Sequence, residues 1–302
     1  MTAFCSSRST YGALAVKIAE DVDSVADFTA TDPQFEYVGE GLTMQQSMGG
    51  GQGIRGSRSH NKDRVRILAE SISGPINLEP TKAELQTWLF LAMGGGSASA
   101  PVLAETLDNF GVCIDRIANR FTYKNCKVNR FSLSGSQGQP VSCTIDVEGE
   151  SEIVESAAFP TVAAIDGDSP FIFSDASIAL TADASATEIA RFTLSIDNGL
   201  DTGRFMNSVT RDCLDPTDRR VTLGLSVPYN ADSIDLHDQS VAGAQGVLTL
   251  TKGSDVFAFT MGNLKSPAQS PSTSRRGEEV FLELNMTAYC TNANDELTVA
   301  IT

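Results

Sequence analysis

Apolar residues recur along much of this chain at every second position. Val141, Cys143, Ile145 and Val147 alternate with Ser142, Thr144, Asp146 and Glu148, the pattern of a strand with one dry and one wet face. The same period returns at Phe192–Ile196, Val221–Val227, Phe257–Met261, Val280–Met286 and Leu297–Ile301. Between 121 and 133 the phase slips twice, from Phe121/Tyr123 to Cys126/Val128 and then to Phe131/Leu133. Each slip predicts a bulge, which bends a strand and helps curve a sheet.

Only one stretch carries strong helical signals, over 81–92. Thr81 and Glu84 form a capping box after Pro80. Leu85, Trp88, Leu89 and Ala92 then share one face, which predicts that Leu85, Trp88 and Leu89 pack into the core. The run Gly94-Gly95-Gly96 ends the helix. A weaker helix is expected near 232–244. Segments 40–63 and 199–217 lack regular pattern and read as long loops, and 264–277 reads as a Ser/Pro loop within a strand pair.

These landmarks occur twice in the same order: strand, long loop, strand, helix, strand pair. Arg64–Ile67 overlies Arg220–Leu223 at an offset of 156 (220 − 64). This suggests a diverged duplication, with a first unit at 1–160 and a second at 161–302. The competing reading is that any β protein repeats strand pairs. Residues 231–245 lack an apolar face like that of Leu85, Trp88 and Leu89, which speaks against the duplication.

The chain has 302 residues, room for one large domain or two ordinary ones. No apolar run approaches the ~18–20 residues of a membrane helix, so no membrane insertion is expected. With 22 Lys and Arg against 38 Asp and Glu, the net charge is −16, which disfavours a dedicated nucleic-acid binder. Near the N-terminus GALAV is too short for a signal peptide's apolar core. The six cysteines contain no C-x-x-C pair and read as reduced thiols, with Cys126 and Cys143 packing as small apolar residues.

Candidate chemistry is thin. Gly51–Gly56 fits G-x-G-x-x-G but has no strand before it and no helix after it, so a dinucleotide site is not expected. Asp166-Gly167-Asp168 and Asp197-Asn198-Gly199 lack the rest of a calcium loop and read as acidic turns. The two histidines, His60 and His237, lie in polar surroundings. No cofactor, metal or catalytic centre is expected.

Charge is distributed unevenly. Residues 146–188 hold ten acids and no Lys or Arg, whereas 55–66 hold Arg55, Arg58, Lys62, Arg64 and Arg66 against the single acid Asp63. An acidic solvated surface would explain the first run. A basic Gly-rich loop on an acidic body also suits docking on another copy of the chain, and a head-to-tail contact of that kind builds rings or filaments.

Three segments together resemble the tail tube proteins, or major tail proteins, of long-tailed phages: 70–96, a strand leading into the Trp-bearing helix; 121–152, a hairpin ending in an acidic strand; and the loop 40–63 between early strands. The second half resembles a diverged copy of the same unit, and the major tail proteins of chi-like siphophages, with their noncontractile tails, are the nearest in pattern. The resemblance implies a mainly β fold, a tube-type β-sandwich or barrel with one or two short helices. Its inner sheets would join between subunits around a channel, and loop 41–63 would reach the adjoining ring, with Arg55, Arg58, Lys62 and Arg64 as stacking residues. Six single units would close a ring, or three duplicated chains in a pseudo-hexamer. The implied partners are further copies of the chain, tape-measure, tail-tip and terminator proteins, and transiting duplex DNA. The implied location is the virion tail, after assembly in the host cytoplasm.

An acid-rich wall would repel DNA, which carries about one charge per ~1.7 Å of axis. Ser142, Thr144, Asp146, Thr193, Ser195 and Asp197 are the positions expected to include lumen-facing ones; alternation equally allows them to lie outside. Two other classes compete, a different β-rich assembly or adhesion module and a β-rich glycosidase with paired carboxylates. A single Trp and five Tyr make a poor sugar cleft.

Overall fold

A computed structural model describes residues 12–51, 53, 59, 62–180, 188–268, 270, 279–291 and 295–302, with backbone alone at 231–236. Alternating sequence has become strands throughout. The first part holds β1 (Ala13–Lys17), β2 (Gln34–Phe35), β3 (Gly39–Glu40), β4 (Thr43–Gly49) and β5 (Arg66–Leu78). Helix α1 (Lys82–Met93) follows, then the hairpin of β6 (Gly94–Ser97) and β7 (Ala100–Leu103). Next come β8 (Phe110–Asp115), β9 (Arg120–Ser136), β10 (Ser142–Gly149) and β11 (Ser151–Glu155). The second part holds β12 (Ala176–Leu180), β13 (Arg191–Asp197), β14 (Arg220–Pro228), α2 (Ala231–Ala242) and β15 (Ala244–Lys252). It ends with β16 (Asp255–Lys265), β17 (Phe281–Ala288) and β18 (Thr298–Ile301). The mainly β expectation is met.

The main sheet runs β12-β15-β16-β17-β14-β13-β9-β10-β5-β3. Within it the two parts pair alike. In the first, β1–β8–β9–β10–β5–β4 are successive neighbours and β11 lies beside β9. In the second, β12–β15–β16–β17–β14–β13 are successive neighbours and β18 lies beside β16. A 12-residue helix follows the corresponding strand in each part. Even one bulge recurs. The β8/β9 register slips between Phe110 and Val112, and the β15/β16 register slips between Ala244 and Gly246. These pairings set α2 against α1 at an offset of 149 (231 − 82), not at the 156 of the sequence overlay.

The two slips expected in β9 are both present. Its pairing with β8 shifts between Tyr123 and Cys126, where Asn125 has a positive φ of 48°, and its pairing with β10 shifts between Val128 and Arg130. The first half of β9 lies between β8 and β11, and the second half between β10 and β13. One strand thus joins two different pairs of neighbours within one sheet.

Thr81 caps α1, and the reciprocal bonds with Glu84 are both made. Gly94 ends it at φ 80°, where an added Cβ would lie 2.2 Å from the Thr106 carbonyl oxygen. The helix is buried beyond its expected face: Leu91 and Met93 join Leu85, Trp88, Leu89 and Ala92 in the interior. Trp88 packs between Phe35 (ring centroids 5.6 Å apart) and Phe110 (5.8 Å, edge to face). A single hydrophobic cluster runs from these rings to Phe192 and Phe257 in the second part.

The segment 40–63 differs from expectation. It opens with β4, which pairs with β5 as a hairpin. Its sequence, TMQQSMG, is exposed on both sides for most of its length, so no alternation marked it as a strand.

Candidate functional site

Strand pairing brings all six proposed lumen positions onto one face of the main sheet. Asn77, Thr144, Ser132, Ser195, Thr222 and Thr287 are successive cross-strand neighbours, forming a row of short polar side chains over six strands. The next row up holds Ser142, Ser134, Thr193, Gly224 and Asn285. Below it, Asp146, Arg130, Asp197 and Arg220 alternate in sign. The apolar partners in each strand face the opposite way, into the core.

Polar groups on this face satisfy one another. Thr144 Oγ1 donates to Asn77 Oδ1 (2.8 Å), Ser134 and Ser142 share a hydrogen bond of 2.9 Å, and Arg130 Nε donates to Ser195 Oγ (2.9 Å). Arg191 pairs with Glu283 at 3.1 Å, and Arg220 donates to Thr287 Oγ1 at 3.4 Å. Partial burial raises the Asp146 carboxyl above its ordinary range and Asp197 adds to this, against the opposing pull of Arg130. Arg191 and Glu283 lie one row beyond Thr193, with Ser136 and Ser226, so across these four rows Asp146, Asp197 and Glu283 are matched by Arg130, Arg191 and Arg220.

A second feature is the arm formed by β4 and the start of β5. Counterpart strands β13 and β14 stop pairing at Asp197/Arg220, while β4 and β5 pair on to Gly49/Arg66. Arg116 holds its root through both Glu40 carboxylate oxygens (2.9 and 2.8 Å) and the Leu42 carbonyl (2.6 Å), and its guanidinium lies 4.6 Å from the Phe121 ring centroid. Tyr123 Oη donates to the same Leu42 carbonyl at 2.9 Å. Beyond the root, the register shifts between Ser47 and Met48, leaving Leu68 unpaired and leaning over Gly49, where a Cβ would come within 2.4 Å of Leu68 Cδ1. Met48 (65% exposed), Leu68 (58%), Val65 and Ile67 are all open to solvent. Lys62 and Arg64 form a short 3₁₀ turn at the exposed end, beside Arg66. Arg55 and Arg58 lie outside the described residues, as does His60.

Loop 199–217 behaves differently. It lies along β5, where the Glu70 N–H donates to the Val209 carbonyl at 2.7 Å. Arg211, 7% exposed, donates to Glu148 (2.6 Å) and reaches the carbonyls of Ile72 and Gly149. Nothing in the sequence pattern marked Arg211; it is one basic residue in an irregular stretch.

Among the described residues no group of three or more His, Cys, Asp or Glu is placed to hold a metal ion. No described helix is long and apolar enough to cross a membrane. Cys126 and Cys143 are buried in the core as expected, and burial pushes both thiols well up from their ordinary value.

The described residues thus form a β protein built on one continuous sheet, with a hydrogen-bonded polar face and an arm that pairs on beyond it. The chain belongs to the phage tail tube protein family, whose model matches residues 8–288. No curated protein matches it. It is therefore a structural component of the virion tail, of a family that self-assembles into a tube with other tail proteins.

Proposed function

We propose that this chain polymerises into stacked rings, each of three chains that supply two tube units apiece, around a channel for DNA ejection. The observation that supports it best is the joint between β9 and β13, paired over Ser136/Arg191 to Arg130/Asp197. It links two parts of identical pairing order inside one chain. Repeating the same joint between chains would close a barrel and remove the free edge at β3 and β4, which otherwise invites uncontrolled pairing. The matching bulge positions support reading 1–160 and 161–302 as the two units.

We assign the polar sheet face to the channel. Phosphate binding needs free cations. Here Arg130, Arg191 and Arg220 are each engaged by a carboxylate or hydroxyl, leaving a wall of short hydroxyls that offers DNA little to hold. The overall charge of −16 adds long-range repulsion. The chain performs no reaction in this reading. It assembles in the host cytoplasm, around a tape-measure protein and between tail-tip and terminator proteins.

Negative-stain electron microscopy of the purified protein, with averaging of end-on views, tests this. Hollow tubes or annuli with three-fold symmetry are expected. Strict six-fold averages with six chains per ring would overturn the two-unit reading. Protein that stays monomeric across concentration and salt would favour an adhesion-type module instead.

A further inference from the structure

We propose that residues 157–165 of one chain, an uncharged strap over its first unit, pack against the open face of β12, β15, β16 and β18 in the neighbouring chain of the same ring. This deepens the three-chain reading and rests on it.

The two units differ in what covers one row of side chains. The shared pairing order sets Ala15, Cys113 and Thr122 of β1, β8 and β9 against Ala179, Val247 and Thr260 of β12, β15 and β16. In the first unit all three are 0% exposed. Ala15 and Cys113 share a cluster with Val22, Val25 and Phe28, against which Phe159 and Val162 pack. In the second unit none of the three is buried. Thr298 continues that row onto β18, and Ser177, Thr249, Ala258 and Ala300 form the next row, also not buried. Neither row holds a charge, on a chain of net charge −16.

The strap has the matching chemistry. Residues 157–165, AAFPTVAAI, interrupt the acid-rich span 146–188 with no charge at all. Phe159 and Val162 hold it to its own unit, while Ala157, Ala158, Thr161 and Ala164 are exposed and Ile165 is 40% exposed. Exposed apolar groups gathered in this way mark contact surfaces.

Placement makes the occupant another copy. The Ala163 N–H donates to the Asp32 carbonyl at 2.9 Å, and only residues 36–38 separate β2 from β3. The strap therefore ends on the side of the first unit that carries the free β3 and β4 edge. β16 is the counterpart of β9, which makes the joint to β13, and β18 lies beside β16. Repeating that joint between chains brings β16 and β18 of one chain to the strap side of the next. Two uncharged surfaces can meet there without pressing together the acids of two negative chains. Within a chain, residues 156–175 tie β11 to β12 covalently; between chains the strap contact takes that place. It joins two different surfaces, so it propagates round a ring. Four strands ~4.8 Å apart, each about five residues long at ~3.3 Å, give a face of about 300 Å². That is below the ~800 Å² per partner of a stable interface, so the strap supplements the sheet joint rather than replacing it.

The test follows the open face through assembly. Ala300→Cys is made in a background of Cys5→Ser, Cys213→Ser and Cys290→Ser, with folding checked by circular dichroism. Maleimide labelling at position 300, read by peptide mass spectrometry, should be fast in the monomer. It should slow about tenfold or more on assembly, equivalent to ~1.4 kcal/mol of cover. Adding Ala164→Cys and a bismaleimide linker should then give covalent species, joined between positions 164 and 300, that stop at three chains. Equal labelling before and after assembly would overturn the proposal. So would a position already unreactive in the monomer, which would mean that the chain covers its own face. Protection without a 164–300 link would assign the cover to another segment, and a ladder beyond three chains would place the contact between rings; either result overturns it. If wild type forms six-chain rings or none, the three-chain reading fails and the strap contact falls with it. If three-chain rings form and position 300 stays reactive, the strap contact alone fails.

Discussion

Asn198 is the buried clasp where the two parts meet, and its replacement has a calculable cost. The residue is 3% exposed. Its Nδ2 donates to the Ala92 carbonyl in the last turn of α1 and to the Val128 carbonyl beside the β9 bulge, both at 3.0 Å. Its own N–H donates to the Asn129 carbonyl at 2.8 Å, and Asn129 Oδ1 accepts from Leu200 N–H at 3.0 Å. Asn198→Ala keeps the main-chain bond but strands two carbonyls away from water. A lost bond costs ~0.5–1.5 kcal/mol and a stranded buried group ~1–3 kcal/mol, so the variant should lose about 2–4 kcal/mol. Asn198→Asp should be worse at neutral pH, because a carboxylate would face two carbonyl oxygens with no donor. The folded state would then hold its proton above the unfolded pKa of ~3.9. The folded form binds more protons in that window, so stability falls as pH rises through it, and the deficit against Asn198→Ala should shrink on acidification. Urea unfolding followed by fluorescence of Trp88, the single tryptophan, measures both. A loss below ~0.5 kcal/mol for Asn198→Ala, or equal stability of the two variants at neutral pH, would refute the reasoning.

Arg55→Glu, Arg58→Glu and Lys62→Glu together should stop tube elongation while leaving the chain folded; normal tubes by electron microscopy would remove the basic loop from stacking. Each exposed pair is worth only ~0–1 kcal/mol, but a ring repeats it around the circle. Trp88→Ala should cost ~3–5 kcal/mol in thermal or urea unfolding. Trp88→Phe should cost much less, because the buried Nε1 has no hydrogen-bond partner to lose. Asp146→Asn should raise the melting temperature at neutral pH: burial lifts the Asp146 carboxyl, so the native protein loses stability as pH rises through its titration, and the gain should vanish in acid. Alkylation read by mass spectrometry should modify exposed Cys290 in the native protein and spare buried Cys126, Cys143 and Cys113, whose thiol is pushed up to about 12 by burial.

Much of the fold was legible because half-buried antiparallel strands alternate. The strands around 141–147, 192–196 and 221–227, the capped helix and both bulges of β9 all follow from local pattern. β8 escaped notice because Phe110–Asp115 is buried on both faces, which erases the period of two. β4 escaped for the opposite reason, exposure on both faces. The polar positions of β10 and β13 were readable as faces, but their meeting in one row depends on β9 lying between the strands, a long-range pairing that alternation does not encode. The arginines that balance this face are invisible to net charge, which does not say where along a sheet the acids and bases meet. Arg211 was unreadable because its partner Glu148 is distant in sequence.

Strand β9 has a mechanical consequence. Its first half is bonded between β8 and β11 and its second half between β10 and β13, with no loop between. Displacing one set of neighbours relative to the other would have to distort a covalently continuous strand and break the ladders on both of its sides together. The chain is therefore stiffest at this junction, where a load on either set of strands passes directly into the other.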